Sequence, residues 1–368
     1  MSISRRKMLA LVGGGTVLAA AGAGTGFALT RTPHHALAPW DMAGEYADPR
    51  LRALSHALLA PNPHNRQPWM AELVGSDGVT IHRDPARDLP VTDPFARQLT
   101  IGMGCFLELM EMAAAEEGLA TETRLFPEGE GGPVAACRMV SGGAPDPLFA
   151  HVMERRSCKE PFEDRPVSPQ DAAALAGHAR VLTEPGDVAA LRELMWEAWQ
   201  VEASTPAAHE ESVDLFRFGR AQIEASPDGI DLGGPMLEGL WRAGVLTAET
   251  AADPASSAYA QAWEMYREMI AATPAAVVLT SQGNGRAEQI EAGRRWLRLN
   301  LATTGLGLSL HPVSQCLQEY PEMAAHHAAA HAMLAAPGET VQMLGRLGHG
   351  PATARTPRWP LEAKLMDA

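Results

Sequence analysis

A short loop near residue 60 carries four hydrogen-bonding side chains between prolines. Residues 60–69 read Ala-Pro-Asn-Pro-His-Asn-Arg-Gln-Pro-Trp, and we call this stretch the amide loop. The prolines forbid a continuing helix and stiffen the backbone. Amide and imidazole groups both donate and accept hydrogen bonds, so Asn62, His64, Asn65 and Gln67 suit a flat heteroaromatic ligand edged with carbonyls and ring nitrogens. An ordinary polar connection between a helix and a strand has the same composition.

A second group of residues supplies positive charge. Arg155, Arg156, Ser157 and Lys159 place three cations and a hydroxyl within five residues. Guanidinium and ammonium groups bind phosphate, and arginine does so with two parallel hydrogen bonds. The pattern indicates a site for a phosphorylated ligand, and a solvated basic helix end is the alternative.

Two more stretches of the second half are candidates for contact with the same ligand. Gly305, Leu306 and Gly307 follow a long helical pattern, and glycine lets a backbone approach a ligand closely because it has no Cβ. A plain helix cap is the alternative. Further phosphate candidates are three arginines of the carboxyl-terminal stretch: Arg346, Arg355 and Arg358.

Charge and motif content exclude several function classes. The formal net charge of -14 argues against nucleic acid as a partner, because its phosphates require a basic surface. The sequence contains no Gly-x-Ser-x-Gly, Walker or His-Glu-x-x-His motif, so hydrolase and nucleoside-triphosphatase functions lack support. His327 and His331 have a metal-like spacing, but no carboxylate base is near, and we interpret them as part of a surface helix. The four cysteines are too widely spaced to indicate a zinc site or to assign a disulfide.

The amino terminus resembles a twin-arginine export signal. Arg5 and Arg6 precede Met8-Leu9 and an uncharged run over residues 8–30. Six glycines make this run only moderately hydrophobic, which favours a signal over a membrane-spanning helix. The expected location is therefore the periplasm or the outer face of the cytoplasmic membrane, reached through the twin-arginine export machinery. A small-x-small cleavage pattern at residues 36–38 is followed by Pro39, so retention as an anchor stays open.

Hydrophobic periodicity predicts a helix-rich chain with strands in both halves. Helices are predicted over residues 48–59, 95–117, 147–156 and 286–304, and another begins at Ser168-Pro169. Strands are predicted over residues 70–74, 79–82, 121–126, 135–140 and 275–281. Residues 229–244 are rich in glycine and are predicted to form a loop or mobile lid. Residues 115–120 and 302–307 both place Gly-Leu at the end of a long helix, which indicates an internal duplication.

The amide loop resembles the Pro-Ser-x-x-Asn-x-Gln-Pro-Trp motif of the nitroreductase family of FMN proteins, with Asn62 in place of the usual serine. Residues 155–159 resemble the family's Arg-Arg-Ser-x-Arg motif, with Lys159 in place of the last arginine. The resemblance implies FMN as cofactor, with Arg155 and Ser157 on the phosphate and ribityl chain. It places Lys159 at the pyrimidine edge, where it would stabilise negative charge. Residues 305–307 would lie beside the isoalloxazine, and a carboxyl-terminal arginine would reach the phosphate.

The distribution of these motifs implies a fused arrangement. An ordinary family member is about half as long, carries all the motifs and forms a homodimer with flavin at the interface. Here the arginine motif is absent before residue 60, and the amide loop is absent from the second half. The resemblance is to the Acg-like branch, and it implies an α+β nitroreductase-like fold with a central sheet surrounded by helices. Two related halves would form an intramolecular pseudo-dimer with one composite flavin site. The expected units are residues 1–38 (signal or anchor), 39–143 (first half) and 144–368 (second half).

The resemblance implies an exported FMN-dependent oxidoreductase of the nitroreductase type. It would act on a small-molecule substrate or electron acceptor, and its electron donor is unknown. No side chain is expected to act as a nucleophile, and no metal is expected. Two alternatives stay open: a non-catalytic protein that binds or sequesters flavin, and a helical exported binding protein without a cofactor.

Overall fold

The computed structural model describes Phe27 and residues 30–366, and the paired arginines of the predicted signal lie outside this part of the chain. The described part has the α+β composition that the sequence predicts, with sheets covered by helices. Its helices are α1 (His34–Asp41), α2 (Pro49–Ala57), α3 (Arg97–Glu116), α4 (Pro169–Leu175), α5 (Pro185–Ser204), α6 (Pro206–Asp214), α7 (Gly219–Ala225), α8 (Pro235–Arg242), α9 (Ala248–Ala252), α10 (Ser257–Ala271), α11 (Arg286–Gly305) and α12 (Ala324–Leu334). Its strands are β1 (Trp69–Val74), β2 (Gly78–Arg83), β3 (Leu119–Leu125), β4 (Ala135–Ser141), β5 (Arg180–Leu182), β6 (Phe216–Phe218), β7 (Ile230–Leu232), β8 (Ala275–Gln282), β9 (Ser309–Pro312) and β10 (Glu339–Gly348).

One topology occurs twice along the chain. The first half forms an antiparallel sheet in the order β1-β2-β4-β3, and the second half forms one in the order β5-β8-β10-β9. In each half a long helix, α3 or α11, joins the second strand to the third. Each of the two related halves expected from the sequence thus has its own sheet. The matching connectivity supports the internal duplication that the two Gly-Leu endings indicate.

The two long helices join the halves at a backbone-to-backbone contact. Each has 20 residues, and each carries a glycine at its eighth position, Gly104 in α3 and Gly293 in α11. A Cβ on Gly104 would overlap the carbonyl oxygen of Ile290, and one on Gly293 would overlap that of Ile101. Only glycine permits this separation, because it has no side chain. One hydrophobic core therefore includes residues from both halves.

The second half differs from the first by a large insertion. A turn at residues 75–77 joins β1 to β2, whereas residues 183–274 separate the equivalent strands β5 and β8. This insertion contains α5 to α10 and a parallel pair, β6 and β7. It has an aromatic core in which Trp199 stacks on Tyr266 with a 4.6 Å centroid distance.

Two predicted elements differ from the structure. Residues 229–244, predicted as a loop or mobile lid, contain β7 and α8, because β7 pairs with β6 and Pro235 begins the helix. The helix predicted over residues 147–156 is only a 3-10 helix over Pro147–His151. The chain is extended beyond it because Cys158 N donates to Leu310 O in β9.

The cysteines and His331 lie at positions that stabilise the fold. The four cysteines are free and buried. His331 Nε2 accepts a hydrogen bond from Val341 N, so this imidazole links α12 to β10. Among residues 27 and 30–366, no helix is both long and apolar enough to cross a bilayer.

Candidate functional site

The amide loop joins α2 to β1 in a strained conformation. His64, Asn65 and Gln67 have positive φ values of 46°, 53° and 50°. Residues other than glycine seldom adopt this left-handed conformation, which costs about 1–3 kcal/mol at each position. Three such residues within four positions require strong support from their surroundings, and strain of this kind is typical of functional sites.

Asn62 and Gln67 supply part of that support. Asn62 Oδ1 accepts a hydrogen bond from Gln67 N at 2.7 Å, and Asn62 Nδ2 donates to Ala60 O at 3.2 Å. Gln67 is fully buried, donates to Pro227 O at 2.7 Å and accepts from Trp359 N at 2.9 Å. These two predicted ligand-binding amides thus fix the loop itself, and their polar atoms are bonded to protein groups.

Asn65 ties the loop to two distant parts of the chain. Its Nδ2 donates to Pro357 O at 3.1 Å, and its Oδ1 accepts from Arg358 at 2.8 Å. Its carbonyl oxygen accepts a hydrogen bond from Gly229 N at 3.3 Å. Gly229 belongs to residues 226–231 of the insertion, which we call the covering segment. The loop is therefore held between the carboxyl-terminal tail and the covering segment.

Arg155 and Arg358 meet at the end of α2. Arg155 donates to Leu59 O at 2.8 Å, while Arg358 donates to Leu58 O at 2.7 Å and to Leu59 O at 3.3 Å. Both side chains are almost completely buried. Burial, followed by the charges of nearby guanidinium groups, lowers the pKa of Arg155 to about 10 and that of Arg358 to about 9. Neither arginine pairs with a carboxylate of the described residues.

Two more arginines gather around the indole of Trp40 in α1. The Cζ atom of Arg156 lies 4.4 Å from the Trp40 ring centroid, and that of Arg355 lies 5.6 Å from it. Arg355 pairs with Asp41 at 2.6 Å, but the Asp41 side chain is 74% exposed, so this pair contributes little. We call the whole group the arginine cluster: Arg155, Arg156, Arg355 and Arg358. Its positive charge is poorly compensated.

Lys159 of the second half and His64 of the first half lie close enough for their charges to interact. The Lys159 side chain is exposed, yet desolvation lowers the pKa of its ammonium group, as expected for a group surrounded by protein on several sides. Burial, followed by the charges of Lys159 and Arg66, lowers the pKa of His64 to about 4. In the covering segment, desolvation raises the pKa of Asp231, and the hydrogen bond from Gly233 N and the charge of Lys159 oppose that shift. The side chains of Lys159, His64 and Ser157 make no hydrogen bond within residues 27 and 30–366.

The remaining predicted site residues are placed differently. Residues 305–307 are exposed at the end of α11, and Gly305 lies against the imidazole of His151. Arg346 is fully buried, donates to Thr273 Oγ1 at 2.9 Å and stacks on Phe162. Its guanidinium is used inside the second half, apart from the arginine cluster.

A buried carboxylate that sequence analysis missed holds the covering segment in place. Asp228 is inaccessible to solvent, and its carboxylate pairs with Arg66 at 2.9 Å, with Arg87, and with Arg217 at 3.7 Å. Ser226 Oγ also donates to it at 2.6 Å. Arg66 and Arg87 lie 162 and 141 residues from Asp228 in sequence, so no spacing or motif could indicate these contacts.

The second half has no counterpart of the amide loop. Residues 58–68 join α2 to β1, whereas only residues 176–179 join α4 to β5. A cleft of about 510 Å³ lies here, lined by residues 172 and 176–181, β8 residues and Arg295. In the first half, Trp69 stacks on Phe106, which has the same position in α3 as Arg295 has in α11. This cleft contains none of the predicted site residues.

Comparison with known proteins gives distant structural likenesses. No protein-family model and no curated protein matches the chain. An FMN-dependent nitroreductase, NfnB from Mycobacterium smegmatis, solved in complex with NADPH, is 16% identical, with 60% of this chain and 98% of that chain covered at a TM-score of 0.37. A nitroreductase-like family protein from Bacillus cereus is 12% identical, with 61% and 96% covered at a TM-score of 0.33. A Bacteroides fragilis nitroreductase with bound FMN is 12% identical, with 57% and 91% covered at a TM-score of 0.31. Likenesses this weak do not establish a family.

Proposed function

We propose that the chain is an FMN-dependent oxidoreductase of the nitroreductase type, with one composite cofactor site built by both halves. The observation that carries this proposal is the pair of buried guanidinium groups of Arg155 and Arg358, which share Leu59 O and lack a carboxylate partner. An uncompensated buried ion costs several kcal/mol, and a bound dianion would offset that cost. A phosphate monoester supplies two negative charges and pairs of oxygens that a guanidinium group can bind with two parallel hydrogen bonds.

The side chains beside the arginine cluster fit the remainder of such a cofactor. Ser157 offers a free hydroxyl next to Arg155, which suits a polyhydroxylated chain. Lys159 and His64 offer unbonded polar groups from opposite halves, which suit the edge of a ring that carries carbonyls and nitrogens. The pseudo-dimer follows from this arrangement, because the amide loop and the arginine motif come from different copies of one topology.

FMN would supply transfer of hydride or electrons, and the protein would bind, orient and shield it. Arg155 and Arg358 would neutralise the phosphate, and Lys159 would maintain positive charge beside the ring. His64 stays neutral at physiological pH, because its pKa is about 4, so it adds no further charge. The covering segment would limit the access of water and of substrates.

Titration of the purified apo-protein with FMN and with riboflavin tests the proposal. We expect a yellow complex and clearly tighter binding of FMN, since riboflavin lacks the phosphate. Arg155→Met should remove the difference between the two ligands, whereas Arg267→Met, on an exposed part of α10, should preserve it. A wild-type protein that binds neither flavin, or binds both equally, would contradict the composite site.

One observation favours flavin sequestration as a second candidate. The covering segment is tied to the amide loop by hydrogen bonds and by Asp228, so it could enclose a cofactor permanently. Anaerobic reduction assays with NADPH and with a membrane quinol separate the two functions. Bleaching of the flavin by either donor supports the oxidoreductase, and a flavin that remains oxidised with both supports sequestration.

We also propose that the chain is exported with its amino-terminal segment retained. The paired arginines favour export. The predicted cleavage pattern lies within α1, where Ala36 is buried and its carbonyl oxygen accepts a hydrogen bond from Arg358 N at 2.8 Å. Cleavage there would remove a support of the arginine cluster. Intact-mass measurement of the membrane and periplasmic fractions tests this, and a mature chain that begins at Pro39 would refute it.

A further inference from the structure

Helix α8 buries its acidic side chain and exposes two large apolar side chains. Glu238 is almost completely buried, while Met236 and Leu240, four residues apart on one helical face, are 73% and 38% exposed. A surface helix of a soluble protein normally shows the opposite pattern. This inversion sets α8 apart and requires an explanation.

The buried carboxylate of Glu238 is fully compensated. Arg31 contacts it at 2.5 Å and Arg242 at 2.8 Å, and Arg220 N donates to it at 3.0 Å. Its polar atoms are therefore satisfied within the protein. The outward face of α8 remains apolar, with the guanidinium groups of Arg242 and Arg220 54% and 38% exposed at its margin.

The exposed apolar residues are concentrated here. Of the ten large hydrophobic side chains that are exposed in the described part of the chain, three fall within residues 236–245. The third is Val245, 47% exposed just after the helix. We call Met236, Leu240 and Val245 the apolar face. Clustered exposed apolar residues, unlike scattered ones, mark contact surfaces.

The described end of the uncharged run of residues 8–30 lies beside this face. Phe27 belongs to that run, and its ring centroid lies 4.7 Å from Arg31 Cζ and 5.8 Å from Arg242 Cζ. The run is uncharged over a length comparable to a bilayer core. A bilayer that contacts the end of this run at Phe27 would therefore lie beside α8.

We propose that the apolar face rests on the surface of a lipid bilayer, with Arg242 and Arg220 against anionic headgroups. An apolar face bordered by arginines is the pattern by which short helices bind at membrane interfaces. The proposal does not depend on the cofactor. It brings the covering segment near the membrane, because α8 begins four residues after Asp231, at most about 14 Å along an extended chain.

The experiment compares two fluorescent positions in the full chain. Met236→Cys and Met333→Cys, both at exposed methionines, are labelled separately with an environment-sensitive dye; the native cysteines are buried and should remain unlabelled. Vesicles of phosphatidylethanolamine and phosphatidylglycerol are then added. Both proteins carry the same amino-terminal run, so only the position of the dye differs.

We expect the dye at position 236 to shift its emission to the blue and to lose iodide quenching, while the dye at position 333 does not change. Equal responses at both positions, or none at either, would overturn the proposal. A response that depends on protein concentration without vesicles would instead indicate a second copy of the chain, which also contradicts it. Leu240→Cys and Met265→Cys form a second matched pair in case the first variant fails to fold.

Discussion

Replacement of Asp228 by asparagine tests whether the covering segment supports the strained amide loop. The carboxylate is inaccessible to solvent and contacts the guanidinium groups of Arg66, Arg87 and Arg217. Removal of one partner from a buried ion pair costs about 3–5 kcal/mol, because the remaining charge stays buried. Asparagine keeps the shape of the side chain, so packing should change little.

The strain of the loop has a comparable magnitude. Three left-handed residues at about 1–3 kcal/mol each give a total of about 3–9 kcal/mol, which the surrounding contacts must offset. We therefore expect Asp228→Asn to lower the free energy of unfolding by about 3–5 kcal/mol, a large part of the total for most domains. The loss should begin locally, at residues 62–67 and 226–231.

Urea denaturation gives the global change, and native-state hydrogen exchange followed by mass spectrometry locates it. The matched control is Asp214→Asn, at an exposed aspartate that ends α6 in the same insertion, which should have little effect on stability. If the two variants are equally stable and exchange at the same rate in the amide loop, then Asp228 does not hold the loop and the reasoning is wrong.

Three further predictions concern packing and pH. Gly104→Ala should lower the unfolding free energy by at least about 1–3 kcal/mol through overlap with Ile290, whereas Gly239→Ala, in a helix with open space around it, should raise it by up to about 1 kcal/mol; chemical denaturation measures both. The folded-state pKa of His64 is about 4 against 6.5 for an ordinary histidine, so between these values the unfolded chain binds more protons. Wild type should therefore lose up to about 3 kcal/mol relative to His64→Gln as pH falls through this range, and equal pH profiles would contradict this. Burial raises the pKa of Glu202 from 4.5 to about 7, so between these values the folded chain binds more protons than the unfolded chain. Wild type should lose up to about 3 kcal/mol relative to Glu202→Gln as pH rises from 4.5 to 7, as stability curves at several pH values would show.

The sequence predicts the long helices well and the insertion poorly. Strong periodicity places a helix at residues 95–117 and another at 286–304, and the structure has α3 at Arg97–Glu116 and α11 at Arg286–Gly305. The glycines of residues 229–244 conceal α8, because glycine lowers helix propensity while tertiary contacts of Glu238 hold the helix. Local sequence cannot express those contacts.

In the candidate site, too, local motifs are visible in the sequence, whereas contacts between distant residues are not. Residue types and resemblance bring Asn65 and Arg155 into one site, and the structure connects them through Arg358, which contacts Asn65 and shares Leu59 O with Arg155. The sequence could not show that Gln67 is bonded to Pro227 and Trp359. It also could not show that Arg346 is buried against Thr273, since these partners are distant in the chain.

The repeated sheet order on one chain affects how the two halves can diverge in sequence. In a homodimer every substitution appears on both sides, so a change that harms one interface harms its symmetric equivalent as well. With both copies on one chain, the second half can shorten the link between α4 and β5 and accept residues 183–274 between two strands, while the first half keeps its own version intact. Because the two copies of the sheet order lie on one chain, a substitution in one half does not change the other half. The two halves can therefore become different in structure.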